Sequence, residues 1–144
     1  MAEVSFYILP SESKQERDEF SCKLNEKAYR SQCYCYVLTD NIEQSQILDT
    51  LLWTFRAGSF IPHQIYIGQL PAIEKVILIG SLEVPGQWKH TLINLSSYCP
   101  NDIEHSERIL EILDNSEATK TLGRQRYRHY QQAGINITTH KIGH

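Results

Sequence analysis

The chain has 144 residues, enough for one domain with a sizeable core, and its 41% hydrophobic content is typical of globular proteins. No apolar run approaches the roughly 18 residues of a membrane helix, and the N-terminus lacks the basic and apolar regions of a signal peptide, so we expect a cytoplasmic protein. The formal net charge of −3 argues against a general nucleic-acid coat protein.

The first part of the chain alternates apolar runs with a helical pattern. Residues 4–9 form an apolar run that predicts a buried first strand. Ser13 and Glu16 fit a capping box that opens a helix. The apolar face of this helix recurs every fourth residue, at Phe20, Leu24 and Ala28. Residues 33–38 then predict a second strand.

The rest of the chain continues the alternation. Asn41 predicts the cap of a second helix. Its inward residues are expected to be Ile47, Leu48, Leu51 and Leu52. Residues 76–79 and 92–95 predict further strands. A third helix is expected to contain Ile109, Leu110 and Leu113. A basic helix follows and ends at Gly134, before a last strand over residues 135–142.

This order predicts an α/β fold, a single domain over residues 1–144 whose mostly parallel sheet carries helices on both faces. The initial βαβα order resembles half of a dinucleotide-binding fold. Phosphate-binding versions of that fold place glycines after the first strand, whereas residues 10–13 read Pro-Ser-Glu-Ser. We therefore expect a nucleotide-binding-like fold without a phosphate loop and without a cofactor.

Neither catalysis nor a metal site is indicated by the motifs. The sequence lacks G-x-S-x-G and H-E-x-x-H, and its six histidines are scattered. His63 follows Pro62 in an apolar loop, and we interpret it as structural. The cysteines lack a second ligand pair at finger-like spacing, so we expect free thiols in the core; these are Cys22, Cys33, Cys35 and Cys99. A catalytic cysteine–histidine pair stays open, although nothing favours one.

The charges are distributed unevenly. From residue 118 to the end there are five Lys/Arg and no acid, so the first 117 residues hold 9 bases and 17 acids. Four residues of the basic helix share one stripe, namely Lys120, Arg124, Tyr127 and Arg128. The stripe suits an acidic peptide with an apolar residue, or phosphates with a base stacked on the tyrosine. A solvated face with the tyrosine packed on the sheet explains the spacing equally well.

A second cluster consists of large aromatic residues around the end of the second predicted helix. Trp53 and Phe55 end this helix, and Phe60 lies in the loop before Pro62. Three such side chains either belong to the core or form an exposed apolar patch of the kind found at protein–protein interfaces.

Three segments together resemble the chi subunit family of bacterial DNA polymerase III. The first is Phe6-Tyr7-Ile8-Leu9, which resembles the family's first strand. The second resembles a central L-W…S-F-[VI]-P-H signature, in Leu51-Leu52-Trp53 and Ser59-Phe60-Ile61-Pro62-His63. The third resembles R-x-R-Y-K-x-Y-x-x-A-G-x-N, in Arg124-x-Arg126-Tyr127-Arg128-x-Tyr130-x-x-Ala133-Gly134-x-Asn136. The resemblance spans essentially the whole chain.

The resemblance implies a non-catalytic accessory subunit of the clamp-loader complex, with a nucleotide-binding-like fold. Such subunits bind the acidic, Phe-terminated C-terminal tail of single-stranded DNA-binding protein. On another surface they bind the psi subunit, and in some bacteria a DNA-repair helicase competes for that second surface. Contact with DNA would then be mainly indirect, and no membrane contact is implied.

Carried over by position, the tail site comprises Lys120, Arg124, Tyr127 and Thr139, with Arg128 where the family often has Lys. Trp53 and Phe60 match the surface for psi or the helicase. The alternative function is a module that binds single-stranded nucleic acid directly through the basic helix. It predicts affinity for bare oligonucleotides with a steep salt dependence.

Overall fold

The computed structural model describes residues 2–54 and 61–143. The strands in these ranges are β1 (Glu3–Ile8), β2 (Cys35–Leu38), β3 (His63–Ile65), β4 (Ile77–Gly80), β5 (Thr91–Asn94), β6 (Arg108–Leu113) and β7 (Asn136–Lys141). The α-helices are α1 (Lys14–Arg30), α2 (Ile42–Thr54) and α3 (Glu117–Gln132). Two short 3₁₀ helices span Gly86–His90 and Ile103–His105.

The strands form one sheet in the order β3-β4-β2-β5-β6-β1-β7. All six neighbouring pairs run parallel. The predicted α/β fold is confirmed, and the sheet of the described residues is wholly rather than mostly parallel. Its two edges are β3 and β7, which therefore lie at opposite sides of the molecule.

The core has two halves, one on each face of the sheet. Successive residues of a strand point to opposite faces. In β2, Cys35 and Val37 accordingly pack with residues of α1 and α2, whereas Tyr36 packs on the other side with Tyr130 of α3. Both faces of the sheet are thus covered by helices, as the sequence predicts and as a parallel sheet requires.

The helix starts follow the capping residues of the sequence. Ser13 Oγ accepts a hydrogen bond of 3.2 Å from the backbone N–H of Glu16, which begins α1. Asn41 Oδ1 accepts one of 2.9 Å from Gln44 N–H at the start of α2. Gly134 follows α3 with a φ of +76°, a conformation that favours glycine. Among the helices of the described ranges, none is long and apolar enough to cross a membrane.

Two assignments from the sequence are wrong. Ile109, Leu110 and Leu113 lie in β6 and not in a third helix. The strand is paired on both sides and buried from residue 109 onward, so its apolar residues do not alternate and their spacing imitates a helix. Ile47 is 59% exposed instead of facing the core, whereas the neighbouring Leu48 is fully buried.

Two smaller features also differ from the expected pattern. His63 begins the short strand β3, which the sequence analysis treated as a loop. Its structural role is supported, because its ring nitrogens lie 2.6 Å from Ile61 O and 3.0 Å from Asp49 O. All four cysteines are free, but Cys33 precedes β2 and, like Cys99, is only partly buried.

Candidate functional site

A cavity of about 460 Å³ lies along α3, beside β1 and β7. We call it the basic groove. It is lined by Phe6, Ile8, Leu113, Lys120, Gly123, Arg124, Tyr127, Arg128, Gln131 and Thr139. These residues come from β1, β6, α3 and β7, and the parallel sheet brings the first strand beside the last three elements of the chain.

The structure brings all five residues of the predicted tail site to this groove. The four from α3 share a helical face, as their spacing predicts. Thr139 joins them because it is paired in register with Phe6 across the β1–β7 ladder. Residues directly opposite on neighbouring strands point to the same face, so the threonine stands beside the phenyl ring.

The floor of the groove is apolar. Phe6 and Leu113 are 2% and 5% exposed, and Ile8 is partly buried. The Tyr127 ring lies against this floor, with its centroid 5.5 Å from that of Phe6 and the planes tilted by 49°. Tyr127 is still 38% exposed, so it packs on the sheet and also presents part of its ring to the groove.

Gly123 brings α3 close to the sheet at the centre of the groove. An added Cβ at this position would lie 2.6 Å from Leu113 Cδ1 and 3.0 Å from Cδ2. Any larger residue would therefore push the leucine away from its place in the floor. The helical glycine, which costs stability in an isolated helix, is explained by this contact.

The rim of the groove carries cations. Lys120 Nζ lies 3.2 Å from Glu117 Oε1, in an exposed pair of low stability. Arg124 and Arg128 are exposed, and neither has a carboxylate oxygen within 4.0 Å among the described residues. Two guanidinium groups are thus available to an acidic ligand on the rim of an apolar floor.

A buried polar network holds α3 in place. Arg126 Nε donates to both carboxylate oxygens of Glu111 on β6, at 3.0 and 3.1 Å. Tyr130 Oη and Asn94 Nδ2 also donate to Glu111 Oε2, at 2.6 and 3.0 Å. Burial raises the pKa of Glu111, and these donors oppose the rise. The network fixes the rotation of α3 and hence the face that forms the groove.

Sequence reasoning missed most of this support. The predicted stripe on the basic helix leaves out Arg126 and Tyr130, and their partner Glu111 lies in a segment that the sequence predicts as a helix. The floor residue Leu113 was missed for the same reason. For the other floor residues, Phe6 and Ile8, the sequence did hold a signal. They are two positions apart in the first strand, so they lie on the same face of the sheet.

The predicted second surface lies at the opposite edge of the sheet. Trp53 is in the last turn of α2, is 51% exposed, and has its ring centroid 4.4 Å from that of His63 in the edge strand β3. Phe60 lies outside the described residues. The connection between β3 and β4 exposes three further apolar residues, Ile67, Leu70 and Ile73.

One group of possible metal ligands occurs in the described ranges. Asp102, Glu104 and His105 place ligand atoms within 4.8 Å of one another. All three are exposed, and Lys89 Nζ already lies 2.7 Å from Asp102 Oδ2. Because the Lys89 ammonium already occupies the Asp102 carboxylate, we interpret the contact as a surface ion pair and not as a metal site.

The sequence matches the family model described as DNA polymerase III chi subunit, HolC, over residues 1–138. A DNA polymerase III subunit chi of Pseudomonas aeruginosa is 31% identical over 142 residues, which cover 99% of this chain and 98% of the relative. The chain belongs to the DNA polymerase III chi subunit family. A chi subunit of Haemophilus influenzae is 28% identical over 141 residues, 96% of either chain.

Membership of the chi family makes the chain a subunit of the replicative polymerase rather than an enzyme in its own right. A crystal structure of T4 UvsW shares the fold, with a TM-score of 0.69 and 9% sequence identity. The match covers 98% of this chain and 41% of the UvsW chain. At this identity the similarity concerns the fold alone.

Proposed function

We propose that this chi subunit binds the acidic C-terminal tail of single-stranded DNA-binding protein in the basic groove. It would thereby connect the clamp-loader complex to protein-coated DNA. The observation that carries the proposal is that all five residues of the predicted tail site line one groove with an apolar floor and a basic rim. Four of these residues share a helical stripe by their spacing, and the fifth, Thr139, is implied by the family resemblance.

The charges suit an acidic peptide with a free C-terminus. Arg124 can fork onto the terminal carboxylate, and Lys120 and Arg128 can meet aspartate side chains. These groups are exposed or partly exposed, so each contact is weak and screened by salt. We therefore expect modest affinity that falls as ionic strength rises.

The floor suits a terminal phenylalanine. Phe6, Leu113 and the inner part of Tyr127 offer apolar contacts to a ring, and aromatic pairs favour the tilted geometry already present between Phe6 and Tyr127. A volume of about 460 Å³ leaves room for the ring and part of the preceding residue. Thr139 Oγ1 on the neighbouring strand can donate a hydrogen bond to the peptide.

We further propose that the Trp53 edge binds the psi subunit or a DNA-repair helicase. Half of the Trp53 surface is exposed, and large exposed aromatic residues are typical anchors of protein interfaces. Because the two surfaces lie at opposite edges of the sheet, both partners can bind at once. Contact with DNA would be mainly indirect, and the protein would act in the cytoplasm.

Calorimetric titration with a short peptide ending in Asp-Asp-Ile-Pro-Phe tests the tail site. A control peptide lacks the terminal Phe. Binding of the first peptide and not of the second supports the proposal. Binding of neither, together with salt-sensitive binding of a bare oligonucleotide, would favour the direct nucleic-acid module instead.

The second surface is tested with Trp53→Ala. The variant should keep its thermal unfolding transition and its tail affinity, but lose affinity for psi or the helicase. Ile47→Ala on the same helix is a matched control, because Ile47 is exposed to a similar extent. Loss of the cooperative transition in Trp53→Ala would show that the ring is part of the core and would overturn the assignment.

A further inference from the structure

A second cavity, of about 430 Å³, lies at the carboxyl ends of the central strands. We call it the switch-point crevice. It separates the loop after β2, which leads to β3, from the loop after β5, which leads in the opposite direction to β6. Parallel α/β sheets bind ligands at such points, where neighbouring strands send their connections to opposite sides.

Three helices begin at this crevice. Lys14 and Arg17 come from the first turn of α1, Gln44 from the first turn of α2, and Thr119 from the first turn of α3. The N-terminal end of a helix carries a partial positive charge, so the three termini together favour an anion. Two buried arginines add full positive charges to these partial charges.

Arg126 lines the crevice, and one of its guanidinium nitrogens has no hydrogen-bond partner among the described residues. Its side chain is 4% exposed, and its Nε donates to Glu111. Its Nη1 is buried without a hydrogen-bond partner in the part of the chain that the structure describes. A buried donor of a charged group that lacks a partner costs free energy, so an acceptor at this position would stabilise the protein.

Arg17 adds a second buried cation to the lining of the crevice. It is 9% exposed and donates through Nε to Ile112 O at 2.8 Å. Among the described residues, no carboxylate oxygen lies within 4.0 Å of its guanidinium. Burial lowers the pKa of Arg17, and the carboxylates of Asp114 and Asp18 oppose this shift. The charge of Arg126 acts in the same direction as burial, so an anion beside both guanidinium groups would reduce their mutual repulsion.

Acidic residues also line the crevice, namely Asp18, Asp40 and Glu43. Asp40 Oδ1 already accepts hydrogen bonds from Ser97 N and Oγ at 2.8 and 2.9 Å. A polyphosphate would be repelled by these carboxylates, whereas hydroxyl or amino groups could donate to them. The ligand should therefore carry one anionic group and several donors.

We propose that the switch-point crevice binds a small ligand through one oxyanion, a phosphate or a carboxylate, held by Arg17 and Arg126. The role differs from tail binding, because the crevice and the basic groove share no lining residue. The site also needs no glycine-rich loop, since arginine side chains replace the backbone donors of that loop.

Nuclear magnetic resonance of the full-length protein tests the proposal, with the backbone amides and the Nε–H groups of Arg17 and Arg126 as probes. The ligands are inorganic phosphate, ribose 5-phosphate as a phosphate source and L-serine as a carboxylate source. We expect saturable shifts at both arginines and in the loops after β2 and β5. If ribose 5-phosphate binds more tightly than L-serine, the natural ligand is a phosphate; if L-serine binds more tightly, it is a carboxylate.

A charge reversal on the rim avoids disturbing the buried arginines. Lys14→Glu should weaken binding roughly tenfold, the scale of one charged hydrogen bond. The new Glu stands in the first helical turn, where a negative charge is favourable, so the fold should survive. Lys23→Glu is the matched control, because Lys23 is exposed on the same helix and lines neither cavity.

Three outcomes would overturn the proposal. Shifts confined to the basic groove would mean that phosphate binds only the α3 rim. Equal weakening in both lysine variants would indicate non-specific attraction. If no saturable chemical-shift changes occur up to millimolar ligand, a water molecule rather than a ligand accepts the hydrogen bond from Arg126 Nη1. None of these outcomes bears on tail binding, which the peptide titration tests separately.

Discussion

Arg126 Nε donates a bifurcated hydrogen bond to the two carboxylate oxygens of Glu111, at 3.0 and 3.1 Å, in the interior of the protein. The side chains are 4% and 0% exposed, so the ion pair is almost wholly removed from water. It joins the middle of α3 to β6 and sets which face of the helix forms the basic groove. Stability and the binding surface therefore depend on the same pair.

Breaking this pair should strongly destabilise the protein. Glu111→Gln leaves the Arg126 charge buried without a counter-ion, and we expect a loss of about 3–5 kcal/mol in the free energy of unfolding. The double variant Glu111→Leu/Arg126→Met should recover part of the loss, because neither charge remains. Recovery should be incomplete, since Tyr130 Oη and Asn94 Nδ2 lose their acceptor. Urea denaturation measures both changes.

The control for this prediction is the exposed pair of Glu117 and Lys120. Glu117→Ala should change the free energy of unfolding by less than about 1 kcal/mol. If Glu111→Gln costs no more than Glu117→Ala, the buried pair does not hold α3.

Gly123 should control the depth of the basic groove. In Gly123→Ala the new methyl displaces Leu113, at an overpacking cost of about 1–3 kcal/mol that outweighs the roughly 1 kcal/mol gain in helix propensity. We expect a lower melting temperature and weaker binding of the Phe-terminated peptide. Gly86→Ala is the control, since a Cβ there meets no heavy atom within 4 Å. Unchanged peptide affinity in Gly123→Ala would remove Leu113 from the binding floor.

Arg124 should contribute directly to tail affinity. Arg124→Ala is expected to weaken peptide binding by about 1–3 kcal/mol, the scale of a charged hydrogen bond. Added salt should weaken the wild type more than the variant, because fewer charges remain to be screened. Calorimetry measures the peptide affinity of both Arg124→Ala and the control Lys23→Ala. Both variants lose one positive charge, but only Arg124 lines the basic groove, so a difference between them reports a local contact. Equal affinity of the two variants would place Arg124 outside the site.

Asp18 gives the stability a pH dependence. Burial raises the pKa of its carboxyl from 3.8 to about 6, with Arg17 opposing the rise. The folded state thus binds more protons than the unfolded state between about pH 4 and 6, so stability falls as the pH rises through this window. In Asp18→Asn the pH dependence of stability should become flatter, and the free energy of unfolding at pH 7 should rise by about 1 kcal/mol. A fully buried carboxyl would give a larger gain, but the Asp18 carboxyl is partly solvated. An unchanged pH profile of thermal unfolding would contradict this account.

The clustering of the residues around the basic groove was easier to predict than parts of the fold. The spacing of Lys120, Arg124, Tyr127 and Arg128 fixes a shared helical face, because the helical period is rigid. Thr139 could be added only through the family resemblance, since its position depends on the pairing of β7 with β1. Helix starts were also predictable, because the caps at Ser13 and Asn41 act within four residues.

The errors concern features that distant contacts decide. Strand β6 is buried on both faces, and its apolar spacing is compatible with either a helix or a strand until its neighbours are known. The Glu111–Arg126 pair joins residues fifteen positions apart on different elements, which no local pattern reveals. Ile47 is exposed although its neighbour Leu48 is buried. The sequence alone therefore could not predict which residues form the edge of the apolar face of α2.

The most direct test of the proposed function is to locate the terminal Phe ring of the tail peptide on the protein. Intermolecular nuclear Overhauser effects between the peptide ring and methyl-labelled protein would show its neighbours. We predict contacts from the ring to the methyl groups of Leu113 and Ile8, in the floor of the basic groove. Contacts to Ile47 or Leu122 in the switch-point crevice, or to Ile67 and Leu70 at the far edge of the sheet, would contradict the account.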